Sequence, residues 1–74
     1  MDLPKRLQVY YRKNNIGEWV FSYVCKEDGE YLFSPEGIHA FSDEITKFME
    51  LIFALLNKQG VEIRRYYEEK PPST

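Results

Sequence analysis

The sequence predicts an α+β fold: a small antiparallel sheet, built from a three-stranded meander plus a C-terminal strand, with one central α-helix packed on one face. Three observations carry this. Apolar side chains alternate with polar ones near both ends, at Leu7, Val9 and Tyr11 and again at Val61 and Ile63, which is the period of a half-buried strand. Turn residues, Asn14-Asn15 with Gly17 and then Asp28-Gly29, divide the N-terminal half into hairpins. Between the last hairpin and the last strand, Ile38, Phe41, Ile45, Phe48, Ile52 and Leu55 recur at spacings of three and four, a helical stripe.

The first strand is expected over Leu7 to Arg12, and the second, Trp19 to Cys25, is rich in β-branched and aromatic residues. Tyr31-Leu32-Phe33 returns as the third. Ser34-Pro35-Glu36 has the composition of a helix start, with Ser as cap, Pro at the first helical position and an acid in the first turn. Ser42-Asp43-Glu44 offers a second cap, so a short first helix broken near Phe41 is the competing description. Either way Ile45 to Leu56 is the central helix, Gly60 ends it, and Val61 to Tyr67 is the final strand, expected beside the first because their apolar parities match. At 74 residues the chain makes one domain, assigned to residues 1–70, with Pro71-Pro72-Ser73-Thr74 as a disordered tail.

The second strand is apolar on both sides: Trp19, Phe21, Tyr23 and Cys25 on one, Val20, Ser22 and Val24 on the other. One helix covers one face, so the length of the first hairpin loop decides which set is buried. A two-residue turn pairs Tyr10 with Trp19 and leaves the aromatics open. A loop one residue longer pairs Arg12 with Glu18 and Val9 with Phe21, turns the aromatics inward and leaves Val20 and Val24 outward. Burial of large aromatic area favours the longer loop.

Tyr10-Tyr11-Arg12-Lys13 and Arg64-Arg65-Tyr66-Tyr67 mirror one another, and on adjacent strands they place tyrosines and arginines together on the water side. The leading expectation is therefore a non-catalytic binder of single-stranded nucleic acid, with Tyr10, Arg12, Lys13, Arg64 and Tyr66 as the candidate nucleic-acid-binding residues, bases stacking on rings and phosphates pairing with cations. The stretch Arg12-Lys13-Asn14-Asn15-Ile16-Gly17-Glu18-Trp19-Val20 resembles a segment of the Pur-type single-strand binders and equally one of the plant AP2-type DNA readers. Both resemblances imply nucleic acid as partner; being mutually exclusive, they assign no family.

Charge is segregated. Residues 1–17 carry Lys5, Arg6, Arg12 and Lys13 against Asp2 alone, while residues 18–50 carry Lys26 and Lys47 against eight acids. The net charge of −2 nevertheless lacks a strongly basic footprint. The alternative is a protein-interaction module, a homodimer or a small accessory or inhibitor protein. It rests on the helix, whose apolar residues from Ile45 to Leu56 spread over an arc of roughly 200°, wider than one sheet face needs. Leu51 and Phe53 at the edges of that arc, with Val20 and Val24, are the candidate partner interface.

Cys25 and His39 are each alone, so no metal site of recognisable spacing, no cofactor and no catalytic constellation is expected, and the chain is read as a non-enzyme. A single cysteine, an apolar run too short to span a bilayer and the lack of a signal-peptide pattern lead to the expectation of a soluble, cytoplasmic protein with no membrane or small-molecule partner.

Overall fold

The computed structural model describes residues 3–68; the assigned tail, 71–74, lies outside them. Four strands and one α-helix follow in the order β1 (Arg6–Lys13), β2 (Trp19–Lys26), β3 (Tyr31–Phe33), α1 (Asp43–Lys58) and β4 (Glu62–Glu68), with a single 3₁₀ turn at Gly37–His39. The sheet order is β3-β2-β1-β4. The meander is antiparallel, and β4 lies beside β1 as expected, but it runs parallel to it, so the sheet is mixed. The helix supplies the long crossover a parallel neighbour needs.

Side chains from one face of the sheet and from α1 form the core: Leu7, Val9 and Tyr11 of β1, Phe21 and Val24 of β2, Met49 and Phe53 of α1, and Val61. The Phe53 ring lies 6.0 Å from that of Phe21, which also stacks on Phe33 at 6.1 Å. Burying these apolar surfaces is the main favourable term in a domain of this size.

The face of β2 is decided by a β-bulge. Tyr11 pairs with Phe21, but the next residue back, Tyr10, pairs with Tyr23, leaving Ser22 as the extra residue. Before the bulge Trp19 and Phe21 point to the helix, as the longer-loop expectation has it, although the loop is longer still and pairs Lys13 with Trp19. After the bulge the parity reverses. Tyr23 and Cys25 turn to the open face and Val24 enters the core, so neither of the two alternatives for β2 holds along its length. A second shift, between Val24 and Cys25 opposite β3, sets Tyr31 across from Cys25 and Phe33 across from Val24. Side chains from later in the chain bond the β2 backbone groups beside the bulge. The Phe21 N–H donates to Thr46 Oγ1 at 2.8 Å, and Ser34 Oγ donates to the Ser22 carbonyl at 3.2 Å.

That use of Ser34 corrects the first helix start: Ser34-Pro35 is a connector, and α1 begins at Asp43 with Ser42 as its cap, accepting from the Ile45 N–H. The break falls at Phe41, a non-glycine residue at φ 60°. Ile38 therefore leaves the helical stripe and is 92% exposed.

Candidate functional site

With α1 on one side, no other strand or α-helix among the described residues covers the opposite side of the sheet, and each strand contributes one tyrosine to it. Tyr66 of β4 stacks on Tyr10 of β1 with centroids 5.0 Å apart and planes 20° apart. Tyr10 stacks on Tyr23 of β2 at 4.4 Å and 15°, and Tyr23 meets Tyr31 of β3 at 5.1 Å with a 54° tilt. The ladder follows from the pairing, since Tyr10 is opposite both Tyr23 and Tyr66. Rings at the spacing of neighbouring strands stand on edge and close face to face. Tyr10 and Tyr23 are half-buried by their neighbours, while Tyr31 is well exposed at the β3 edge.

Burial pushes the Tyr23 phenol up to about 12, with the negative charge of Glu68 and the neighbouring phenols adding to the effect. Tyr10 is raised too, by burial first and then by the neighbouring Cys25, Tyr66, Glu68 and Tyr31. Both rings are thus neutral hydrogen-bonding groups at neutral pH, and the Tyr10 hydroxyl donates to Gln8 Oε1 at 3.2 Å.

The charges beside the ladder come from β1 and β4 in register: Arg6 opposite Glu62, Gln8 opposite Arg64, Arg12 opposite Glu68. Glu62 accepts from Arg64 at 2.7 Å and from Arg6 at 3.1 Å, which holds its carboxyl below the usual carboxylate range. The Arg12 guanidinium lies 4.2 Å from the centroid of the Phe41 ring. Arg12, Tyr23, Tyr31, Phe41 and Glu68 border a concavity of about 350 Å³ at this end of the face. The left-handed backbone at Phe41 is what sets its ring against Arg12, a feature with no signal in the sequence pattern.

Four of the five residues expected to bind nucleic acid, Tyr10, Arg12, Arg64 and Tyr66, thus share one face. Lys13 does not: it pairs with Trp19, two positions from core-facing Tyr11, and its Nζ lies 5.4 Å from the Trp19 ring on the helix side. Tyr23 and Tyr31 belong to the face but were not among the expected residues: the favoured longer loop turns Tyr23 inward, and the bulge brings it out.

The candidate partner interface is largely corrected. Val24 and Phe53 are core residues at 3% and 1% exposure, and Val20, opposite Arg12 at the Phe41 end, is fully buried. Only Leu51 is open, joined by Phe48 and Leu55 on the same side of the helix. The helix is rotated so that Met49 and Phe53 face the sheet and Glu50 points toward β1 and β4. Glu50 accepts from the Tyr11 hydroxyl through one oxygen and from Arg65 Nη2 at 2.7 Å through the other.

Among the described residues no group of three or more His, Cys, Asp or Glu side chains is placed to hold a metal ion, and no helix is long and apolar enough to cross a membrane. Cys25 is buried, and that burial raises its thiol pKa, the opposite of nucleophile activation. Compared with protein families, with curated proteins and with solved structures, the chain finds no match.

Proposed function

We propose that the protein is a non-catalytic interaction module that docks a protein partner on the open face of its sheet. The observation that carries this reading is the tyrosine ladder across all four strands, uncovered by the helix. Closed-up rings offer a flat row of edges and hydroxyls, with rotamers already restrained by their neighbours. Tyrosine and arginine in such a setting are the residues that carry protein interfaces, because they bury much apolar area at small entropic cost while keeping polar tips. Flanking charges of both signs provide specificity without a strong field.

Single-stranded nucleic acid is the second reading. Arg12 and the outer ring faces of Tyr31 and Tyr66 favour it. Against it, Arg6 and Arg64 share Glu62, Glu68 stands opposite Arg12, and a base enters the ladder only by prising stacked rings apart.

A photo-crosslinking amino acid at Tyr31, on the sheet edge opposite β4, compared with one at exposed Ile16 in the β1–β2 loop, tests the proposal in cells. A discrete adduct with another protein at Tyr31 and none at Ile16 is the expected result. Saturable, steeply salt-dependent binding of a mixed single-stranded oligonucleotide, lost on Arg12→Ala, with no protein adduct, establishes the second reading instead.

A further inference from the structure

The edge of β4 has a pattern of its own. The Glu62 N–H donates to the Lys5 carbonyl at 2.9 Å, so Glu62 turns its backbone groups toward β1. By alternation Arg64, Tyr66 and Glu68 do the same, and Ile63, Arg65 and Tyr67 aim theirs away from the sheet, where no further strand lies among the described residues. An unpaired row of this kind is a template for another strand.

We propose that the protein forms a two-fold homodimer by antiparallel pairing of β4 with β4 of a second copy, centred on Tyr66. The centre follows from parity and charge. Outward-facing residues must pair with outward-facing residues, so the two-fold axis passes through a residue and never between two. Centring on Arg65 sets Arg65 against its own copy and Glu62 against Glu68. Centring on Arg64 sets that cation against itself. Centring on Ile63 pairs only three residues of each β4, and centring on Tyr67 sets Glu68 against Tyr66 and forms no Arg64–Glu68 pair. Centring on Tyr66 sets Arg64 against Glu68 twice, Arg65 beside Tyr67 twice, and no like charges opposite one another.

This arrangement also extends the open face. Directly opposite residues in an antiparallel pair share a face, so Tyr66 meets Tyr66 of the second copy and the two ladders join across one eight-stranded sheet. A two-fold contact closes on itself, which separates it from the open-ended strand addition that leads to fibres. The dimer does not depend on what the open face binds.

Charge reversal reads the pairing directly. Arg64 and Glu68 are solvent-exposed, so Arg64→Glu and Glu68→Arg leave the fold intact by circular dichroism. Each alone weakens self-association by about tenfold or more in sedimentation equilibrium, because two attractive cross-strand pairs become repulsive. An equimolar mixture of the two variants restores the dimer as a heterodimer, since one chain then carries acids at both positions and the other cations. In a Cys25→Ser background, Tyr66→Cys forms an intermolecular disulfide across the axis and Arg65→Cys does not. A wild-type mass that stays monomeric through the micromolar range overturns the proposal. So does a dimer indifferent to the single reversals, or cross-linking at position 65 in place of 66.

Discussion

Phe53→Ala and Phe48→Ala should differ sharply in their effect on stability, although both residues lie on the apolar arc of the helix and an unoriented helical projection ranks Phe48 the more central. Phe53 is 1% exposed and packs on Phe21, whereas Phe48 is 58% exposed. Truncating a fully buried phenylalanine removes its transfer free energy and leaves a cavity, about 3–5 kcal/mol together. A chain of this length has a total stability of about 4–11 kcal/mol at the usual value per residue, so the Phe53 variant loses much or all of it. The folded-to-unfolded ratio falls by roughly a hundredfold to several thousandfold. Phe48→Ala removes a side chain already more than half in water and should cost under about 1 kcal/mol. Urea titration followed by circular dichroism and by the fluorescence of Trp19, whose ring lies 5.1 Å from that of Tyr67, measures both. Equal midpoints, or a larger loss for Phe48→Ala, would refute the placement of the helix on the sheet.

Glu50→Ala should cost about 1–3 kcal/mol by leaving the Tyr11 phenol, 4% exposed, without its acceptor, and adding Tyr11→Phe should recover part of that loss. A double-mutant cycle in urea with no coupling between the two positions contradicts the bond. Stability should also fall as pH rises from about 10 toward about 12. The Tyr23 phenol sits above its unfolded value, so within that window the unfolded chain gives up its proton more readily and ionisation draws the equilibrium toward it; below the window the contribution is fully present. Thermal midpoints across this range should show a shallower fall in Tyr23→Phe. An identical profile for variant and parent rejects the assignment.

The sequence by itself determined the elements and much of their arrangement, because these rest on local chemistry. Alternation at Leu7, Val9 and Tyr11 makes β1 and names its buried side, Asp28-Gly29 turns β2 into β3, Ser42 caps α1, and the parity of Val61 and Ile63 names the buried side of β4, whose parallel place beside β1 brings Tyr10 to Tyr66 through the crossover of α1. Tertiary structure alone decided which way β2 and the helix face. Both sides of β2 are apolar, so its pattern is satisfied by either register. The bulge at Ser22 uses both in turn, and Thr46 and Ser34, distant in sequence, bond the β2 backbone beside it. The helix has apolar residues over more of its circumference than one sheet face covers, and its rotation is set by Glu50 reaching Tyr11 and Arg65 on other elements. Tyr23 thereby joins the open face, Phe53 and Val24 are buried, and Phe48, Leu51 and Leu55 are left in water. A local pattern specifies how apolar a surface is, and only the packing of the other elements selects which part of it is covered.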